Sequence, residues 1–113
     1  MRKEFFPEFI RNLPETDIPI KGIHGWLIQN KQILVSILEN DEAVEVGEHS
    51  HGDQFGIVLS GKLDITIGGK LHHFVKGDSY FIPAGVTHSA KLSADHRALD
   101  FFVDIDRYKP KAR

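Results

Sequence analysis

The sequence predicts an all-β protein, an antiparallel barrel or sandwich preceded by one short N-terminal helix. Three observations carry this. Short apolar runs recur along most of the chain, each bounded by Gly, Pro or Asn. Leu63, Ile65 and Ile67 alternate with Asp64 and Thr66 as in a half-buried strand, and Gly68-Gly69 behind them is a tight-hairpin signal. Helical periodicity is confined to Phe6, Phe9, Ile10 and Leu13, at i, i+3, i+4 and i+7.

Taken in order, the chain divides into an arm (1–17), a barrel (18–106) and a tail (107–113), all within one domain of 113 residues. Pro7 suits a first helical turn and Pro14 stops propagation, so the arm should hold about two turns of amphipathic helix. A helix that short is not stable alone and must dock on its own barrel or on a partner. Trp26–Ile28 and Ile33–Leu38 read as strands joined by a loop at Gln29-Asn30-Lys31. Gln54–Leu59, Leu63–Ile67, Leu71–Val75, Ser79–Ile82, His88–Leu92 and Ala98–Val103 complete the set. The basic tail Lys109-Pro110-Lys111-Ala112-Arg113 is expected to fray.

Composition narrows the function classes. Hydrophobic residues make up 41% and charged residues 27% of the chain, as in globular proteins. The net charge of −2 gives no steering toward nucleic acid or anionic lipid. There is no cysteine, hence no disulfide and no thiolate metal site. No apolar run approaches the roughly 20 residues that span a bilayer, and the first residues lack the apolar core of a signal peptide. The expectation is a cytoplasmic protein with a small-molecule ligand and neither a nucleic-acid nor a membrane partner.

The informative tripeptide is His49-Ser50-His51. In extended chain, residues two apart share a face, so both imidazoles can reach one ion. His88 follows the turn Pro83-Ala84-Gly85. Three imidazoles from two segments leave coordination positions open, the mark of a reactive metal site. Gln54 is a possible fourth ligand through its amide oxygen, a neutral and weaker donor than carboxylate. Asp53 and Glu48 have the wrong strand parity to replace it. Of the other histidines, His72 and His73 face opposite sides of a strand and read as surface or hairpin residues, while His24 and His96 read as solvent-facing. Trp26, Ile28, Phe55, Tyr80, Ile82 and Phe102 are candidates for the walls of the barrel. Tyr80 and Asp100 are the candidate catalytic groups: a phenol can donate a proton, and a carboxylate can orient a ligand or act as base.

These two segments resemble the paired motifs of the cupin superfamily, commonly written G-x5-H-x-H-x3,4-E-x6-G and G-x5-P-x-G-x2-H-x3-N. The second motif fits Gly77, Pro83, Gly85 and His88, with Leu92 in place of the Asn. In the first, His49, His51 and Gly61 match; Gln54 stands where the Glu belongs, one residue closer to His51, and Gly47 is nearer His49 than the pattern asks. The resemblance covers about half the chain, Gly47 to His88. It implies a double-stranded β-helix (jelly roll) of the small single-domain cupin kind. It further implies a divalent metal on His49, His51, Gln54 and His88: nickel, zinc, iron, manganese or copper. A homodimer is the implied assembly. The implied activity is metal-dependent chemistry on a small molecule, as a dioxygenase, isomerase or lyase. Non-catalytic binding of a sugar or organic acid, or a metal-free barrel, are the alternatives.

Overall fold

The computed structural model describes residues 4–112; Met1–Lys3 of the arm and Arg113 of the tail lie outside the described residues. Two antiparallel sheets face each other. The first has five strands: β2 (Ile23–Gln29), β3 (Leu34–Asn40), β5 (Gln54–Ser60), β8 (Ser79–Ile82) and β10 (Arg97–Phe102), in the order β2-β3-β10-β5-β8. The second has four: β4 (Val44–His49), β6 (Lys62–Ile67), β7 (Lys70–Val75) and β9 (His88–Leu92), in the order β4-β9-β6-β7. Strands neighbouring in sequence often lie in opposite sheets, which gives the jelly-roll winding.

Pattern explains pairing. In β5, Gln54, Gly56 and Val58 point inward while Phe55, Ile57 and Leu59 point outward, and a one-residue slip would invert both sets. Gly68 and Gly69 both take positive φ, 55° and 84°, and make the tight β6–β7 hairpin. Between the sheets lies an apolar cluster that includes Val44, Val58, Leu63, Ile65, Ile82 and Leu92. Gly25, in β2, lies so close to the β3 backbone that a Cβ would meet the Ile37 carbonyl oxygen at 2.6 Å.

The arm departs from expectation in length. Helix α1 covers only Glu8–Arg11, a single turn after the extended Pro7. Phe6 is buried against Trp26 and Ile37, with Ile10 and Leu13 packed beside them, but Phe9 is 72% exposed. The arm therefore covers the outer face of the five-stranded sheet at one end. That explains why Trp26 and Leu27, adjacent and on opposite faces, are both buried. Trp26 is accordingly not a wall of the barrel, and Ile28 and Phe55 also face outward, 49% and 42% exposed.

The tail is not frayed where it was expected to be. Lys109–Pro110 forms β11, which pairs with β1 (Thr16–Asp17), and the Lys111 amide donates to the Glu15 carbonyl. Backbone pairing with the arm supplies the partners that composition could not disclose.

His96 is a second correction. It is 2% exposed, not solvent-facing. Asn40 donates its amide to the carbonyls of Ser93 (2.6 Å) and Glu42 (2.9 Å), and its Oδ1 accepts from His96 Nδ1 at 3.1 Å. Burial outweighs the neighbouring Asp95 charge and lowers the His96 pKa from 6.5 to about 4. A lowered folded-state pKa adds stability that is complete above pH 6.5 and lost as pH falls through about 4. Urea unfolding of metal-free protein should therefore show stability falling between those limits, His96 accounting for about 3 kcal/mol of it. His96→Gln should flatten that part of the curve; an unchanged slope would refute the assignment.

Candidate metal centre

The first site residue is set by strand pairing. β4 and β9 are antiparallel, and their register shifts between Val46 and His49, so that His49 lies directly opposite His88. Their ring centroids are 4.2 Å apart. His51 lies beyond the end of β4, and two hydrogen bonds tie its loop to the turn before His88. The Gly85 amide donates to the His51 carbonyl (2.9 Å), and the Ala84 amide donates to Asp53 Oδ1 (2.8 Å). Gly85, at φ 78°, takes the left-handed position that the Pro83–Val86 turn requires. Asp104 holds the other side of the loop by accepting from the Gly52 amide at 2.7 Å. Asp53 is thus a clip between the two motif segments.

Among the described residues, His49, His51 and His88 bring one ring nitrogen each to within 4.8 Å of one another. The remaining nitrogens fix the rings. Nδ1 of His49, His51 and His88 lies 2.8, 2.8 and 3.0 Å from the carbonyl oxygens of Gly47, Gly52 and Val86. A carbonyl only accepts, so each Nδ1 carries the proton and each Nε2 keeps its lone pair. Nε2 of His51 and of His88 is buried and has no hydrogen-bond partner. Burial, the largest cause, holds both rings below the usual histidine pKa and so neutral at pH 7. Unpartnered, neutral, converging imidazole nitrogens with anchored second nitrogens are what a transition-metal ion requires, and the residues fit one. An ion held there would supply Lewis-acid or oxygen-activating chemistry.

Gln54, at the start of β5, lines the same cavity as His49 and His88. Its amide nitrogen donates to Asp100 Oδ1 at 2.9 Å, and the same oxygen accepts from the Tyr80 hydroxyl at 2.5 Å. Tyr80 and Asp100 therefore do meet, both buried and facing inward. Burial is the chief cause of a raised Asp100 pKa and carries the Tyr80 pKa well above its usual value. Gly56 makes the space: a Cβ there would collide with the Tyr80 ring, its hydroxyl and Asp100 Oδ1. Ile82 and Phe102 complete the wall as expected. Neither His72 nor His73 lines this cavity: His73 is exposed and pairs with Asp64, while His72, half-buried on the inward side of β7, stacks on Phe74.

Two cavity residues escaped sequence reasoning. Arg107 sits with its guanidinium carbon 5.4 Å from the Phe102 ring centroid and 5.0 Å from that of Tyr108, and its buried Nε lacks a partner. Phe102 in turn packs edge-on against His51. His96 also lines the cavity, and its Nε2 is buried without a partner. Arg107 belongs to a segment read as tail, and no periodicity marks it as inward-facing.

Residues 34–103 match the family model of the cupin domain, and the chain belongs to that family. Over 75 residues it is 45% identical to the HTH-type transcriptional regulator PuuR of Escherichia coli, matching 61% of this chain and 40% of that protein. The chain thus spans less than half the length of this curated relative. Among solved structures it resembles KdgF from Halomonas sp., with TM-score 0.71 and 18% identity over 98% of this chain and 96% of that one. It also resembles the oxalate decarboxylase of Bacillus subtilis, whose Mn(II) centres have been studied, with TM-score 0.68 and 16% identity over 80% of this chain and 27% of that one. At these identities the likeness to the two structures is one of fold.

If Asp53 is the clip that seats His51 beside His88, Asp53→Ala should cost about 1–2 kcal/mol in stability and roughly tenfold in metal affinity, read by thermal unfolding and metal titration. Intact affinity in this variant would contradict the role.

Proposed function

We propose that this chain is a metal-dependent small-molecule cupin. A divalent ion is held by Nε2 of His49, His51 and His88 and by the amide oxygen of Gln54. The observation that carries the reading is the set of anchored rings with buried, unpartnered Nε2 atoms. A neutral fourth ligand leaves the ion its full formal charge and favours an anionic oxygen ligand. Arg107 at the cavity supports the same preference, since no salt bridge engages it among the described residues. The substrate class is therefore a small organic anion, and the chemistry is that of a dioxygenase, isomerase or lyase. Tyr80 is the group placed to hold a proton, at its hydroxyl, and Asp100 Oδ1 is the base placed to receive it. His51→Ala should abolish stoichiometric metal binding with the fold intact, measured by elemental analysis of untagged protein. Full metal content in that variant would sink the reading.

A second reading has its own support in the 45% identity to a transcriptional regulator. Here the barrel binds the same kind of anion without turning it over, as the ligand-sensing module of a regulatory system. The barrel itself, at net charge −2, makes no contact with nucleic acid in this reading. Metal-loaded protein offered small carboxylates separates the two: product formation favours the enzyme, and saturable binding without product favours the module. Arg107→Ala should weaken carboxylate binding at least tenfold in either case; unchanged affinity would remove Arg107 from the site.

We further propose a cytoplasmic homodimer. The arm is used up on its own barrel, but a row of apolar residues crosses all five strands in register: Phe81, Phe55, Phe101, Val35 and Ile28. Phe81 is 55% exposed, and a contiguous outward apolar row suits an isologous interface. Light scattering should give a dimer that Phe55→Asp converts to monomer; a monomeric parent protein would refute it.

A further inference from the structure

The first motif's pattern has Glu where this chain has Gln54, and the structure supplies a reason for the exchange. Gln54 Nε2 is 2.9 Å from Asp100 Oδ1, and Asp100 is 4% exposed. A glutamate in place of Gln54 would set two carboxylates oxygen to oxygen in a buried place, with no donor between them. A carboxylate accepts and does not donate, so it fixes which end of the amide faces it: the nitrogen turns to Asp100 and Oε1 becomes the free end. Asp100 is itself held. Tyr80 donates to the same oxygen, and Gly56 leaves the space that the two side chains fill. The registers agree. Gly56 is opposite both Asp100 and Tyr80, and Gln54 is opposite Phe102, so the trio is set by backbone pairing on three adjacent strands.

We propose that Asp100 is a positioning residue for the metal centre: it orients the Gln54 amide so that its oxygen faces the histidine nitrogens, and its presence is why this position carries an amide and not a carboxylate. This rests on the metal-binding reading above. Asp100 touches neither the ion nor the substrate in this role. It acts through Gln54, and Tyr80 steadies it.

The test is a double-mutant cycle on metal-stripped protein, with nickel(II) titrated by calorimetry and thermal unfolding of the metal-free form followed in parallel. Asp100→Asn keeps an oxygen that accepts from Gln54 and should bind nickel within about threefold of the parent. Gln54→Glu alone should bind no more tightly than the parent, although carboxylate is the stronger ligand, and should unfold at lower temperature. Gln54→Glu combined with Asp100→Asn restores a donor–acceptor pair, with the introduced amide donating to the introduced carboxylate. It should recover the unfolding temperature and bind nickel at least tenfold more tightly than the parent. A purely structural role for Asp100 predicts instead that Gln54→Glu changes nickel affinity by the same factor whether residue 100 is Asp or Asn, and that result overturns the proposal. If Gln54→Glu does not fold, folding of the double variant supports the proposal and its equal failure overturns it. A parent protein that binds no nickel brings down the metal reading and this inference with it. Ordinary binding with an additive cycle brings down this inference alone.

Discussion

The pairing of His49 with His88 across β4 and β9 is the constraint on which the site depends. A β-ladder fixes two residues opposite each other far more tightly than a loop does, and here it sets two imidazoles side by side at one end of the barrel, their planes tilted by 57°. The third histidine has no ladder of its own. Its place comes from the Asp53–Ala84 and Gly85–His51 hydrogen bonds, which fasten the loop after β4 to the turn before β9. The candidate metal centre is therefore built from one strand pair and one loop clip, and everything farther out keeps those two in place.

Each imidazole is then locked by a carbonyl near it in sequence, one or two residues away. Short-range acceptors of this kind cost little to arrange, because the chain delivers them along with the ring they hold. The outcome is a group of Nε2 lone pairs committed before any ligand arrives, which is the preorganisation that metal affinity and reactivity depend on. Beneath it, Tyr80, Asp100 and Gln54 form a buried polar network inside an otherwise apolar barrel. Such a network is costly unless each member is satisfied, and Gly56 gives up its side chain so that this one fits.

Much of this was legible in the sequence. His49, His51 and His88 were legible because period-2 geometry and the Pro83–Gly85 turn act over a few residues. The strands Ser79–Ile82 and His88–Leu92 were bounded correctly by their flanking Gly and Pro residues. Asp100 and Tyr80 could be suspected from their chemistry, but nothing local said that they face the same interior, since alternation gives two faces without saying which is inside. His96 was misjudged because charged neighbours at Asp95 and Arg97 outvoted a partner, Asn40, that lies 56 positions away. β11 was missed for the same reason, since its partner β1 lies at the other end of the chain; Arg107 stacks on its near neighbours Phe102 and Tyr108, but a basic tail reads as solvated and nothing local turns it into the cavity.

The sequence by itself determined the all-β class, the strand–turn punctuation and the three histidines, because turn chemistry and side-chain alternation are properties of short stretches of chain. Only the tertiary structure decided that the outer face of the five-stranded sheet is partly covered by the arm, that the tail pairs with that arm, and that Gln54 donates to Asp100. Each of those joins segments far apart in sequence, and the energy of a contact between distant residues is written in no local pattern. The glutamine shows this most clearly: in the sequence it reads as a weakened ligand, and beside a buried carboxylate it reads as the side chain that can lie there without a second charge.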